Sequence, residues 1–454
     1  MSVNSTGGDW AKWKIIPNAT GSGYRITCKA GYYAHAATVL EGSTANGANV
    51  VQVEYCNAAS QQWIFTPAEK EAIVVVPGIM GSELYENPTS TNRTLVWPPS
   101  TDNINILVNL TNNLEMDVNG NSIKNIGVWQ DDERESPTYG SLGTYQPLVN
   151  KLKQSYPNKS VYFFSYDWRY SNSVSAEALR KFIDVKGITS IILVSHSMGG
   201  LVTSSFLQNR ANYLKVLKNI VVGSPLLGTP QAIDVMAEGT SMGNFFVSFA
   251  DGLGINFLSL EEKIVELAPN IPSLYELLPS AQYYSKTSMN TVYYYNPQPN
   301  SSIVNTYLQG YHATKNYLYD NALVTNCRNS ELLSRAQVFH DSLWNGNAHS
   351  SSQCETYYLV GCGLQTITFE EKRGDKMLER PLVNGDGTVV FWTADLGGLY
   401  PSSTYYYNAT GLSTPGDGHT DLISKTAPLN FIVSKIPMDT VHTDLRPRVR
   451  QYSA

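Results

Sequence analysis

The chain has 454 residues, with 38 Asp+Glu against 32 Lys+Arg and a net charge of −6. That balance supplies no field for a polyanion, so nucleic acid is excluded as a partner. Charged residues are only 15% and hydrophobic ones 42%, with 29 Tyr, which excludes a disordered chain and implies a surface rich in neutral Tyr, Asn, Ser and Thr.

The length suits two or three domains with a large core. The five cysteines show no C-x-x-C and no His/Cys ligand cluster, so no metal is expected, and no motif calls for a cofactor. Cys28 with Cys56, and one pair among Cys327, Cys354 and Cys362, are the expected bridges. They lean towards an oxidising compartment, a secreted or lysosome-like lumen. The start, MSVNSTGGDW, is polar, so no secretory signal is expected in the chain as written. No run of about 18 apolar residues occurs, which excludes a membrane-spanning helix.

Residues 1–68 differ in texture from the rest. Trp13-Lys14-Ile15-Ile16-Pro17 is echoed by Trp63-Ile64-Phe65-Thr66-Pro67, and a period of that size signals a repeat architecture. With Ser43 to Val50 and Gln61-Gln62-Trp63, the segment resembles one repeat of a ricin-type β-trefoil lectin. The resemblance implies a structural Gln-x-Trp motif with its Trp in the core, and a sugar-binding Asp earlier in the repeat. No Asp stands between Ala30 and Glu41, so packing is the expected role of residues 1–68, with glycan contact the alternative.

From residue 69 the pattern changes to strands alternating with helices. Ile73-Val74-Val75-Val76, Val161-Tyr162-Phe163-Phe164, Ile191-Ile192-Leu193-Val194 and Ile220-Val221-Val222 are short apolar runs, as expected of parallel strands covered on both faces. Ser173 to Ile183 and Gly199 to Leu214 read as helices between them. The alternation predicts a doubly wound parallel sheet. It stops after Gly223 and returns at Tyr357-Tyr358-Leu359-Val360. The interval, about 231–355, reads as a cap insertion over the site. Its stretch from Phe245 to Tyr295, including Phe257-Leu258 and Leu274 to Leu278, reads either as an acyl groove or as ordinary cap core.

Val194-Ser195-His196-Ser197-Met198-Gly199-Gly200 lies where the third strand turns into a helix, the setting of a nucleophile elbow. Small flanking residues are required there; Gly199 and Gly200 meet that need, and Ser195 replaces the usual Gly. A serine needs an adjacent base that is itself oriented by a third group, in the chain order Ser, Asp, His. Asn384-Gly385-Asp386-Gly387-Thr388-Val389 and Gly416-Asp417-Gly418-His419-Thr420-Asp421 supply Asp386 and His419. Taken alone, Asp386 would be an Asx turn between glycines. His196 is expected to point elsewhere, His35 falls in the lectin-like part, His312, His340 and His349 in the cap, and His442 in the tail. The oxyanion needs two aimed amides, expected from Met198 and from Pro77-Gly78-Ile79-Met80-Gly81-Ser82, at Ile79 with Met80 as neighbour.

Together, Val75-Val76-Pro77-Gly78-Ile79-Met80-Gly81-Ser82, Tyr166-Asp167-Trp168-Arg169, Ser195-His196-Ser197-Met198-Gly199, Asn384 to Val389 and His419 resemble the lecithin:cholesterol acyltransferase family. The resemblance runs from about residue 70 to 435. It implies an α/β-hydrolase fold: a mainly parallel doubly wound sheet with a large cap, here over 69–454, preceded by a small all-β trefoil-like segment at 1–68. It implies transfer of an acyl chain from a phospholipid, through a serine acyl-enzyme, to a lipid alcohol or water at a membrane or lipoprotein-like interface. Ser197, Asp386 and His419 become the triad, and Ile79 and Met198 the oxyanion hole. Asp167 and Arg169 are expected to pair structurally at a strand end. Leu95-Val96-Trp97 and the Asn-rich stretch after it stand where the family has its interfacial subdomain, without the cysteine pair of the animal enzymes. A neutral lipase or carboxylesterase is the first alternative, and a carbohydrate-binding protein with an inert hydrolase domain the second.

Overall fold

The computed structural model describes residues 12–17, 24–29, 32–43, 49–63, 70–99, 111–129, 139–237, 266–287, 292–295, 306–307, 329–373, 376–409 and 418–436. The chain divides into two compact units, with the boundary between Glu69 and Lys70 and the second unit running to Met438.

In the first unit, strands Trp13–Pro17, Tyr24–Cys28, His35–Val39 and Val50–Glu54 form an antiparallel sheet in that order. A bridge from Tyr24 to Trp63 brings the end of the unit back onto its second strand. Trp63 is buried and its Nε1–H donates to the Ala37 carbonyl at 2.9 Å. The buried Gln61 carboxamide donates to the Glu54 carbonyl at 2.7 Å and to Thr38 Oγ1 at 3.1 Å, and accepts from the Cys56 amide at 2.8 Å. Trp63 therefore satisfies a carbonyl within the third strand, and Gln61 satisfies backbone groups at and just beyond the end of the fourth.

The expected disulfides are not formed among the described residues. Cys28 is buried at the end of its strand, whereas Cys56 is exposed. Cys354 and Cys362 are free thiols. They flank opposite ends of the strand Thr356–Cys362, and at ~3.3 Å per residue an extended strand of that length separates them far beyond the ~7 Å Cα limit for a bridge. Cys327 lies outside the described residues.

The second unit is built on six parallel strands: β1 Glu71–Val76, β2 Ser160–Phe163, β3 Ser190–His196, β4 Val216–Val222, β5 Thr356–Cys362 and β6 Thr404–Asn408. Their order is β6-β5-β4-β3-β1-β2, every neighbouring pair parallel. Successive side chains alternate between the two faces. In β1, Ile73 and Val75 pack with Leu148 and Leu152 of helix α1 (Gln146–Ser155), whereas Ala72, Val74 and Val76 pack with Leu179 and Ile183 of α2 (Asn172–Val185) and Leu201 and Phe206 of α3 (Gly199–Phe206). Burial on both faces is why the strands read as unbroken apolar runs. Helix α2 starts where the Ser171 hydroxyl accepts from the Ser173 amide.

The expected helix over Gly199 to Leu214 is two. After α3 the chain leaves helical geometry at Asn209, whose side chain caps a separate turn, Arg210–Tyr213, by accepting from the Ala211 amide at 2.9 Å. In the interval read as the cap, Leu274, Tyr275, Leu277 and Leu278 are buried in the core, while Phe257 and Leu258 lie outside the described residues. Leu274 to Leu278 are thus packed interior. The Glu276 carboxylate reaches the start of α2, accepting from the Ser171 hydroxyl at 2.5 Å and from the Asn172 backbone and side-chain amides at 2.7 and 2.8 Å.

The strand order reverses between β1 and β3: from β1 the chain moves outward to β2, then returns to lay β3 on the other flank. Open α/β sheets bind ligands at the carboxyl ends of strands beside such a switch point. Here those ends carry Pro77 and Ser197.

Candidate active site

Ser197 sits directly after β3 with φ of 55°, a left-handed backbone that non-glycine residues rarely adopt. The turn is tight because the chain enters α3 at once. A Cβ on Gly199 would lie 2.4 Å from the Val76 carbonyl oxygen, so only glycine fits there. Ser195, in the place of the usual glycine, is fully buried and accepts from the Thr203 hydroxyl at 3.3 Å.

Asp386 follows the strand Lys376–Gly385, which pairs with the strand Leu364–Arg373 directly after β5. Its Oδ1 accepts from the Thr388 and Val389 amides at 3.0 and 2.7 Å, and its Oδ2 lies 2.8 Å from His419 Nδ1. The residue is thus an Asx turn and a histidine partner at once. Both side chains are almost fully buried. The carboxylate can only accept, so Nδ1 carries a proton, and in the neutral imidazole the lone pair is then on Nε2. Nε2 is buried and makes no hydrogen bond, to Ser197 Oγ or to any other described group. A Cβ on Gly223 would meet Asp386 Oδ2 at 3.2 Å and His419 Cε1 at 3.4 Å, and the residue before it, Val222, accepts the Ser197 amide at 2.9 Å. The imidazole therefore lies beside the elbow.

The loop after β1 closes the other side. A Cβ on Gly78 would fall 2.7 Å from Ser197 Cβ and 3.1 Å from its Oγ. The Gly78 amide donates to the Tyr145 hydroxyl at 2.7 Å and is unavailable to a substrate. The amides of Ile79 and Met198 are engaged in no hydrogen bond among the described residues. Met80 takes a left-handed φ of 59°. Its carbonyl accepts from the Trp97 indole at 2.9 Å and the Ser141 hydroxyl at 2.7 Å, and the Tyr166 hydroxyl donates to the Pro77 carbonyl at 2.8 Å. These buried donors fix the loop shape.

Sequence reading missed Tyr145, Ser141 and Trp97 as supports of this loop. Trp97 and Val96 are buried and only Leu95 is exposed, so the segment expected at a lipid interface turns mostly inward. His196 does not point away from the site. Its ring packs 4.6 Å, centroid to centroid, from that of His419, and burial, reinforced by His419, holds its pKa well below the ordinary imidazole value. His340 and His349 are buried apart from these groups, and His312, His442 and Asp417 lie outside the described residues. Arg169 is fully buried and grips Asp167 with two nitrogens at 3.0 and 2.7 Å, as expected. Among the described residues no cluster of three or more His, Cys, Asp or Glu could hold a metal ion.

A parallel sheet with a strained serine at a strand-to-helix elbow defines an α/β-hydrolase fold. A solved chain from the Tle4–Tli4 complex shares it, with a TM-score of 0.53 at 15% identity over 81% of this chain and 99% of that one. The family model for lecithin:cholesterol acyltransferase matches residues 82–341, more than half of the chain. The protein belongs to that family. It is similar to lecithin-cholesterol acyltransferase-like 4 of Arabidopsis thaliana, 30% identical over 129 residues, and to an uncharacterized protein of Saccharomyces cerevisiae, 34% identical over 91 residues. These alignments cover 26% and 19% of this chain, and 23% and 13% of the relatives' own lengths.

Proposed function

We propose that this protein is a serine-dependent lipid acyl-handling enzyme that takes an acyl chain from a phospholipid onto Ser197 and passes it to a lipid alcohol or to water. The observation that carries the reading is a left-handed Ser197 at the elbow beside a His419 imidazole that Asp386 orients at 2.8 Å. Family membership supports a lipid ester as substrate.

In this mechanism Ser197 Oγ–H gives its proton to His419 Nε2 as the oxygen attacks the ester carbonyl. The transfer requires Oγ and Nε2 to close to hydrogen-bond range once substrate is bound, a tightening common at such sites. The tetrahedral oxyanion is held by the Ile79 and Met198 amides, each contributing about 3 to 4 kcal/mol if side-chain donors are a guide. The bond to the lysolipid breaks, and its oxygen takes the proton from Nε2. In the second half an acceptor O–H gives its proton to Nε2 and attacks the acyl carbonyl. Ser197 leaves and recovers the proton. Asp386 holds the tautomer and stabilises the imidazolium.

Ser197→Ala is expected to abolish turnover of labelled phospholipid and labelling by a fluorophosphonate probe while leaving the fold intact. Retained turnover would overturn the reading. With phospholipid and a long-chain alcohol supplied together, ester product identifies transfer and fatty acid alone identifies hydrolysis. Residues 1–68 are proposed as a separate trefoil-like unit whose removal leaves this chemistry in place.

A further inference from the structure

Three hydrogen bonds run in series behind the candidate site. The Gly78 amide donates to Tyr145 Oη at 2.7 Å, Tyr145 Oη meets His196 Nδ1 at 2.9 Å, and His196 Nε2 meets the His419 carbonyl oxygen at 3.1 Å. The carbonyl end and the burial of the ring together set the protons between them. A carbonyl can only accept, so Nε2 carries a proton; burial disfavours a second proton on the ring, which leaves Nδ1 as the acceptor and the Tyr145 hydroxyl as its donor. His196 is therefore neutral and of one tautomer. Tyr145, His196 and His419 are all at most 2% exposed, so water does not compete for these groups.

The chain links three elements that have no covalent reason to stay in register. Gly78 belongs to the loop after β1, His196 ends β3 and adjoins Ser197, and His419 lies in the short helix Gly418–Asp421. Asp386 fixes the His419 ring from its Nδ1 side. His196 holds the backbone of the same residue. From Gly78 to His419, one polar thread joins the loop after β1 to the residue that carries the base, behind the candidate site.

We propose that Tyr145 and His196 are positioning residues that set the distance between the His419 base and the amides of the Pro77–Ser82 loop. This rests on the reading of Ser197 and His419 as nucleophile and base. Neither residue touches substrate. Their effect is on the placement of groups that do, where an error of about 1 Å costs about 100-fold in rate.

The test uses the full chain and a short soluble p-nitrophenyl ester, with kcat and KM measured alongside the thermal midpoint. Tyr145→Phe removes one oxygen and keeps the ring. It is expected to lower kcat by about 10- to 100-fold with KM within about threefold. His196→Leu is expected to lose at least as much, and His196→Gln, which keeps a donor for the His419 carbonyl, to recover part of the loss. The double variant Tyr145→Phe/His196→Leu is expected to be no slower than His196→Leu alone, because both changes cut one thread. If His196→Leu does not fold, Tyr145→Phe against the parent decides. Parent-like kcat in Tyr145→Phe, a loss confined to KM, or fully additive losses would overturn the proposal. Ser197→Ala separates the two levels: if it stays active the reading of the site fails, and if it is dead while Tyr145→Phe is parent-like only the positioning role fails.

Discussion

Oδ2 of Asp386 lies 2.8 Å from Nδ1 of His419, while Oδ1 of the same carboxylate is held by two backbone amides. The two oxygens have separate duties: one fixes the loop and the other fixes the imidazole. Asp386→Asn can keep an oxygen on the Thr388 and Val389 amides and so preserve the fold. Its NH₂ then faces Nδ1 and forces the proton to Nε2, the wrong tautomer for a base. The expected result is a kcat lower by about 10⁴ with little change in thermal midpoint, measured on a labelled phospholipid as the proposed donor. Near-normal kcat would move the acid's role elsewhere.

Gly78 is expected to tolerate no side chain. A methyl group there would sit 2.7 Å from Ser197 Cβ, well inside van der Waals contact, and Ser197 is already strained. Since Gly78 is also anchored through its amide to Tyr145, the loop cannot easily move away. Gly78→Ala should cost about 1 to 3 kcal/mol of stability and reduce fluorophosphonate labelling of Ser197 by more than tenfold. Labelling at the parent rate would show that the loop and the elbow are not in contact during the reaction.

Buried histidines set the acid limit of stability. Burial lowers the pKa of His340 to about 4 and that of His349 to about 3, and it depresses His196 as well. The unfolded chain binds these protons near the ordinary imidazole value of ~6.5, so below that pH it gains protons that the fold refuses, and stability falls with falling pH. Glu276 works the other way. Burial raises it to about 7, so its contribution is present at low pH and is lost as pH rises from the ordinary carboxyl value towards 7. Three imidazoles against one carboxyl decide the sign. His340 alone is worth up to about 3 kcal/mol when fully titrated. The denaturation midpoint is expected to drop from pH 6.5 to pH 4.5, and the double variant His340→Gln/His349→Gln to show a shallower drop. A midpoint that rises on acidification would contradict this assignment.

The parallel sheet was legible because strands buried on both faces leave continuous apolar runs, as at Ile73 to Val76 and Ile191 to Val194. The contact between Asp386 and His419 could be anticipated because chain order selects them from other Asp and His residues, Asp386 standing between two glycines and His419 directly after Gly418. What could not be read is the support. Tyr145 meets Gly78 and His196 across 67 and 51 residues, and Trp97 meets Met80 across 17, and no local pattern marks such bonds. The cysteines failed for the opposite reason. Nearness in sequence suggested one pair among Cys327, Cys354 and Cys362, but an extended strand carries Cys354 and Cys362 apart.

Arg169 shows how a motif residue can hold a distant segment. Besides its two bonds to Asp167, it donates to the Leu114 carbonyl at 3.3 Å and the Ile126 carbonyl at 3.5 Å, with no exposure to solvent. A planar guanidinium can satisfy all three partners at once, whereas an ammonium on a shorter stem cannot. Arg169→Lys would therefore leave Asp167 half-paired and two carbonyls open in a buried place. The expected cost is about 3 to 5 kcal/mol, the range for breaking a buried pair, together with faster proteolytic cleavage within 111–127. Asp167→Asn should be milder, since the carbonyl bonds survive. If Arg169→Lys unfolds with the parent's denaturation midpoint and its 111–127 segment stays protected, the guanidinium is not what anchors that segment to the sheet.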